Sequence, residues 1–123
     1  MKTKINLIIS TVDQSELEGR VVTKILSLEK QNLVLPYCLL EENNKDKTLK
    51  EIYYNLFSLY ILEINPKWIE IRLLDIEKDF ETNTIDVYYV CSIPIESRLK
   101  NAYFINNNQT LVSHIIQKAS RYS

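Results

Sequence analysis

The chain has 123 residues with a formal net charge of −1, and 46% of them are apolar. These values fit one globular domain over residues 1–123 and are not those of a disordered chain. The lysines are scattered and the charge is nearly balanced, so the sequence offers no basic field for nucleic acid. No apolar run approaches the length of about 18 residues that a membrane-spanning helix needs. Neither nucleic acid nor membrane insertion is therefore expected.

The N-terminal stretch and the cysteines indicate a cytoplasmic protein. The apolar run in MKTKINLIIS is shorter than the core of an export signal, so residues 1–12 are predicted to form an N-terminal arm or strand. Cys38 and Cys91 lie among apolar residues and lack the spacing of a metal site or of a disulfide framework. Two reduced thiols in the cytoplasm are the simplest interpretation.

Three segments organise the first half of the chain. Asp13 followed by Glu16 is a capping-box pattern, and apolar residues then recur at helical spacing, which predicts a first amphipathic helix. The stretch NLVLPYCLL is short, apolar and interrupted by Pro36, which predicts an edge strand or one arm of a hairpin. Apolar residues follow the i, i+3, i+4, i+7 pattern over residues 47–62, which predicts a long helix.

A pair of strands is predicted after the long helix. That helix must end near Asn65, because Pro66 lacks an N–H and pushes the residue before it out of the α region. Residues 69–76 and 84–93 alternate apolar and polar side chains, as half-buried strands do. A slip in this alternation at Leu73 predicts a bulge. The two strands are predicted to pair antiparallel at the centre of the sheet.

A short third strand at residues 102–105 and a last helix from Gln109 complete the predicted elements. The fold class is therefore α+β: a small antiparallel sheet, made of a three-strand meander plus an N-terminal strand or hairpin, with helices packed against it.

The sequence contains no recognisable catalytic or metal-binding motif. His114 is the single histidine and lies opposite the apolar stripe of the last helix, as a solvated surface residue would. Gly19 is the single glycine, which excludes the glycine-rich loops that bind phosphate. Both cysteines are interpreted as packed thiols. No enzymatic activity, catalytic residue, cofactor or metal is therefore predicted.

The eight tyrosines exceed what one small core needs. Tyr54 on the long helix and Tyr88 on the second long strand fall on the polar phases of their elements. Exposed tyrosine is common at protein interfaces because it gives a large, rigid contact area at little entropic cost. Tyr54 and Tyr88 are therefore predicted to bind a partner protein.

One stretch resembles the Nudix hydrolase box, a Leu-Pro-Gly-Gly-x-x-Glu loop followed by a helix with Arg-Glu-Leu-x-Glu-Glu. The matching residues are Leu35, Pro36, Glu41 and Glu51. The residues that depart from the box are Tyr37 and Cys38, in place of its glycines, and Tyr54 and Asn55, in place of the metal-binding glutamates. The resemblance implies a Nudix fold that could not hold magnesium.

A second resemblance, over about Asp13 to Ile105, is to the small lysozyme-like baseplate-wedge or sheath-initiator proteins of contractile phage tails and type VI secretion systems. ENNKDKTLKEI resembles that family's entry to its long helix. LLDIEKDFETNTIDVYYVCSI resembles its two long strands joined by an acidic turn. Asn65-Pro66-Lys67 stands where its Glu-Pro-Arg signature lies.

The baseplate resemblance implies a non-enzymatic component of a contractile injection machine that contributes to assembly and sheath initiation. Its partners would be other baseplate or sheath proteins, with no small-molecule substrate, in the cytoplasm or in a virion. The predicted contact residues at the junction are Asn65, Pro66, Lys67 and Trp68, beside Tyr54 and Tyr88. The alternative is a catalytically inactive Nudix-fold binding module or a small regulatory adaptor. Topology separates the two, because the Nudix fold needs a mixed sheet and the baseplate fold an antiparallel one.

Overall fold

The computed structural model describes residues 2–14, 22–40 and 48–106 of the chain. Within these ranges it is an α+β fold. The elements are β1 (Lys2–Asp13), β2 (Val22–Ser27), β3 (Tyr37–Leu40), α1 (Leu49–Tyr60), a 3₁₀ turn (Pro66–Trp68), β4 (Arg72–Asp79), β5 (Thr84–Ser92) and β6 (Tyr103–Asn106). No helix in the described ranges is long and apolar enough to cross a membrane.

The sheet is mixed, so the predicted antiparallel sheet is wrong. Its strand order is β4-β5-β1-β2-β6, and β3 also pairs with β1. β1 runs parallel to β5 from Lys2, opposite Thr84, to Ser10, opposite Ser92, whereas the pairings of β1 with β2 and β3 and of β4 with β5 are antiparallel. Alternation of side chains predicts that a segment is a strand but carries no information on its direction.

β1 lies at the centre of the sheet and is buried on both faces. Ile5, Leu7 and Ile9 belong to the larger core cluster, which also contains the buried face of α1 and is called the helix-side cluster. Ile8 points to the other face, where it packs with Ile25 and Val90 in a smaller far-side cluster. A continuous apolar run is typical of a strand that is buried on both faces.

The long helix is confirmed, with shifted ends. It begins after Thr48, whose Oγ1 accepts a hydrogen bond of 3.2 Å from the Glu51 N–H. It ends at Tyr60, before the predicted stop at Asn65, because the chain then pairs with a later loop. Ile61 forms an isolated bridge with Leu99, which takes the backbone out of the helix.

The predicted first amphipathic helix is wrong in the part of that segment that the structure describes, because Val22–Ser27 is strand β2. Ile25 and Leu26 point to opposite faces of the sheet and belong to the far-side and helix-side clusters respectively. The β-branched run of Val21, Val22 and Thr23 favours a strand. The part of the predicted helix at residues 15–21 lies outside the described residues.

The β4–β5 hairpin and its bulge are confirmed, since the register shifts between Leu73 and Asp75. The predicted central position of this pair is wrong, because β4 forms one edge of the sheet and β1 its centre. The predicted third strand corresponds to β6, but β6 pairs with β2 and not with β5, so the predicted three-strand meander is wrong. The last predicted helix, with His114, lies outside the described residues.

Candidate functional site

The segment that resembles the Nudix box begins in well-packed structure. Leu35 packs against the far-side cluster, and Pro36 is fully buried. The carbonyl of Pro36 accepts a hydrogen bond of 2.9 Å from the Leu7 N–H, which ties the segment to the central strand. β3 follows directly. Glu41 falls in residues 41–47, outside the described residues.

The first turns of α1 carry the second half of the Nudix-like pattern. Glu51 is exposed in the first turn, where its charge is favourable at the helix N-terminus. Tyr54 and Asn55 follow at the positions of the metal-binding glutamates. Magnesium in a protein site is normally bound through carboxylates, and Glu51 is the one carboxylate on this helix.

A magnesium centre does not fit the described residues. Within residues 2–14, 22–40 and 48–106, no group of three or more His, Cys, Asp or Glu side chains is placed to hold a metal ion. Tyr54 offers a phenol and Asn55 a neutral amide, neither of which supplies the negative charge of a carboxylate.

The junction Asn65–Trp68 is a rigid turn on the surface. The Asn65 side chain accepts a hydrogen bond of 3.0 Å from the Lys67 N–H, and the Asn65 carbonyl accepts one of 3.0 Å from the Trp68 N–H. Pro66 occupies the first position of the turn, where its fixed φ is favourable. Lys67 is exposed, and Trp68 is 82% exposed.

The six predicted contact residues do not form one surface. Tyr54 packs against the helix-side cluster, with its ring centroid 5.1 Å from that of Tyr53. Tyr88 packs against the far-side cluster, across the sheet. Both tyrosines are partly buried, although their sequence phases predicted exposure. Their assignment as partner-binding residues stays a prediction, as does that of the junction.

Tyr88 lies among acidic side chains on the far side of the sheet. Asn6 donates a hydrogen bond of 3.1 Å to Asp86 Oδ1, and Glu77 is opposite Asp86 in the hairpin register. Burial, followed by the charges of Asp86, Glu77 and Asp75, raises the pKa of Tyr88 to about 12. Tyr88 is therefore a neutral hydroxyl at physiological pH.

Beside the junction lies a cavity of about 370 Å³. Residues of three strands, of the junction and of the segment that follows it line the cavity: Ser10, Trp68, Ile69, Glu70, Arg72, Val90, Cys91 and Ser92. The strand register brings these residues together, since Ser10 is opposite Ser92 and Arg72 is opposite Val90. The volume is at the lower end of the range for small-molecule pockets, roughly 300–1,000 Å³.

The cavity combines an aromatic face with charged and hydroxyl groups. Arg72 Nε lies 3.9 Å from Glu70 Oε1, and both side chains are more than half exposed. Ser10 is fully buried, and its hydroxyl donates a hydrogen bond of 3.2 Å to the Cys91 carbonyl. Trp68 was predicted from the sequence as a contact residue, whereas Ser10, Arg72 and Ser92 were not. No local motif marks them, because strands distant in sequence bring them together.

The interpretation of Cys91 as a packed thiol leads to a test. Cys91 is 4% exposed, and burial raises the pKa of its thiol to about 12. Because the thiolate is the reactive form, we expect Cys91 to react with a thiol reagent at pH 8 at least about 100-fold more slowly than a free cysteine. Cys38 is partly exposed and should account for the fast phase. Cys38→Ser should abolish that phase in the folded protein; a fast phase that persists would contradict the interpretation.

No family model matches the sequence, and no curated relative was found. The mixed sheet with α1 packed on one face does match solved structures with a Nudix fold. The NUDIX domain of Shewanella oneidensis NrtR, solved with ADP ribose, has a TM-score of 0.64 at 12% identity, covering 98% of this chain and 86% of that one. The C-terminal domain of mouse MUTYH, solved with human PCNA, has a TM-score of 0.62 at 11% identity, with coverages of 98% and 86%.

A third match is a mutT/nudix family protein from Listeria innocua, with a TM-score of 0.56 at 14% identity. It covers 76% of this chain and 66% of that one. At this level of identity the likeness shows the fold, and the chain therefore has a Nudix-like fold.

Four predictions are corrected by these matches. The assignment to a baseplate-wedge or sheath-initiator family is wrong, because the parallel β1–β5 pair and the matched structures are those of the Nudix fold. The predicted role in a contractile injection machine rested on that assignment and is wrong as well. The prediction that the chain is not an enzyme is overturned, since the matched structures carry the fold of an enzyme family. The expectation of baseplate partners is wrong with the family assignment, and the expectation of no small molecule is contradicted by a match to a domain that was itself solved with ADP ribose.

Proposed function

We propose that the chain is a Nudix-fold protein that binds a ligand containing a nucleoside diphosphate, with ADP-ribose as the model compound. The observation that carries this proposal is the match over 98% of the chain to a domain solved with ADP ribose. The cavity beside the junction supports it, because an aromatic ring, an arginine and hydroxyl groups suit a base, a phosphate and a ribose respectively.

The packing of the Nudix-like segment also supports the proposal. Leu35 and Pro36 hold the chain against the sheet just before β3, and α1 begins after the connection that follows. The order of strand, connection and helix is the one in which the Nudix box occurs. A reducing, cytoplasmic location is part of the same proposal, and the two free cysteines are consistent with it.

Binding is tested by calorimetry and by thermal unfolding of the full chain with ADP-ribose, ADP and ribose 5-phosphate. We expect saturable binding of ADP-ribose and ADP. At a ligand concentration of 100 times Kd, ADP-ribose should raise the free energy of unfolding by about 2.7 kcal/mol. Ribose 5-phosphate, which lacks the base, is the control and should bind more weakly. No binding of any nucleotide would contradict the proposal.

A second candidate function is hydrolysis of such a ligand. One observation favours it: Glu51 is exposed in the first turn of α1, at the position of a glutamate in the Nudix helix pattern. An exposed carboxylate at that position could accept a proton from an attacking water. Product release from ADP-ribose should be followed for the unmodified chain, Glu51→Gln and Glu41→Gln. Turnover that either substitution abolishes supports hydrolysis, and no turnover in the unmodified chain contradicts it.

A further inference from the structure

We infer that the cavity beside the Asn65–Trp68 turn is the base and phosphate subsite of the ligand, with the Trp68 indole stacking on the base and the Arg72 guanidinium contacting the phosphate. This inference rests on the proposed function and assigns the recognition of the ligand to particular residues. Glu51 of α1 is not among the residues that line the cavity.

Trp68 is well suited to stack on a planar group. It is 82% exposed, while the hydrogen bonds of the turn fix its backbone on both sides. The next residue, Ile69, donates its N–H to the Pro66 carbonyl over 3.1 Å and packs against the helix-side cluster. The backbone of Trp68 is thus anchored beside the cavity, and its exposed indole is accessible to a planar group. An indole has two side-chain torsions to fix, so stacking a base on it costs little conformational entropy.

Two cationic side chains lie in or beside the cavity. Arg72 lines it, and Lys67 is exposed on the adjoining turn. Glu70 is the other charged residue of the described lining, and its Oε1 lies 3.9 Å from Arg72 Nε, so the lining itself carries one cation and one carboxylate. An arginine can present two parallel N–H donors to a phosphate group, which a lysine cannot do.

The floor of the cavity supplies small polar groups. Ser10 and Ser92 lie side by side in the parallel β1–β5 pair. Ser92 is exposed, so its hydroxyl is available to a ligand oxygen. With a volume of about 370 Å³, the cavity suits one base with its attached sugar and phosphate. The rest of a larger ligand would extend into solvent.

The experiment uses Trp68 as its own reporter, because it is the single tryptophan in the chain. The fluorescence of the full chain is followed while ADP, ADP-ribose or ribose 5-phosphate is added, and affinities are measured in parallel by calorimetry. We expect ADP and ADP-ribose to quench the fluorescence with the same midpoint as the heat of binding. Ribose 5-phosphate, which has no base to stack, should leave the fluorescence unchanged.

Two substitutions separate the roles of the two side chains. Trp68→Ala should weaken the binding of ADP about 10- to 100-fold, the loss expected for one stacked base. Arg72→Gln should weaken ADP about 10-fold and leave adenosine, which has no phosphate, unchanged. Phe80→Ala is the matched control, since Phe80 is equally exposed, at 83%, but lies at the β4–β5 turn; it should bind ADP normally.

The outcomes distinguish the inference from the proposed function. Binding of ADP-ribose that leaves Trp68 fluorescence unchanged and is unaffected by Trp68→Ala would overturn the inference and leave the proposed function standing. Failure of every nucleotide to bind the unmodified chain would overturn both. Equal weakening by Phe80→Ala would also overturn the inference, because the loss would then not be specific to the cavity.

Discussion

Replacing Phe57 with alanine is expected to lower the free energy of unfolding by about 3–5 kcal/mol. Phe57 is fully buried in the helix-side cluster, between α1 and the central strand. Its removal takes the largest apolar side chain of α1 out of this core and leaves a cavity that the surrounding strands cannot fill. Urea unfolding followed by circular dichroism measures the change.

Leu59→Ala is the matched control for this substitution. Leu59 is on the same helix, two residues away, and is 59% exposed, so its truncation should change the unfolding free energy by less than about 1 kcal/mol. Equal losses from the two substitutions would contradict the placement of α1 on the sheet. Such a result would indicate that helix propensity, and not burial, sets the stability of this region.

The protein is expected to lose stability between about pH 10 and pH 12, and Tyr88→Phe should reduce this loss. The pKa of Tyr88 is raised to about 12 in the folded state and is near 10 in the unfolded chain. The neutral hydroxyl is thus favoured by folding. Its contribution is fully present below pH 10 and disappears as the pH rises through 12. The size of the effect is about 1–3 kcal/mol.

Urea unfolding at pH 8, 10 and 11.5 tests this expectation. Burial also raises the pKa of Tyr53 and of Tyr89, so the substitution should reduce the alkaline loss and not remove it. Tyr103→Phe is the control, because Tyr103 is 40% exposed on β6. If the unmodified chain and Tyr88→Phe show the same dependence on pH, the burial and the acidic surroundings that raise the pKa of Tyr88 are incorrect.

Local patterns predicted the elements that depend on local interactions. The apolar spacing of α1 and the alternation of the β4–β5 hairpin are complete within short segments, and both elements were found. The slip at Leu73 was visible in sequence because a bulge changes the phase of the side chains. The helix ended early because Ile61 pairs with Leu99, an interaction between distant residues that propensity does not describe.

The failures share a cause, which is pairing between distant segments. The spacing of Ile25 and Leu28 is compatible with a helix, but β2 forms because β1 and β6 bond to it on both sides. The parallel direction of β5 depends on where the chain returns to the sheet, which no local pattern encodes. Without that direction, the baseplate and Nudix resemblances could not be separated, and the wrong one was preferred.

Only part of the candidate site was predictable from the sequence, because the rest is brought together by pairing between distant strands. The junction was recognisable because Pro66 ends the preceding pattern and propensity leaves Lys67 unexplained. Ser10, Arg72 and Ser92 carry no such signal. They are ordinary strand residues until the sheet places them beside Trp68, so only the three-dimensional arrangement identifies the cavity.

The parallel pairing of β1 with β5 also constrains the order in which the fold can form. Lys2 is paired with Thr84, so paired residues of the two strands are 82 positions apart in sequence, and such distant contacts slow folding. During synthesis, β2 and β3 can pair along one edge of β1 long before β5 exists. The other edge of β1 then has no partner strand, and an exposed strand edge of this kind promotes association with other chains. Completion of β5 is therefore the step that protects the nascent protein from aggregation.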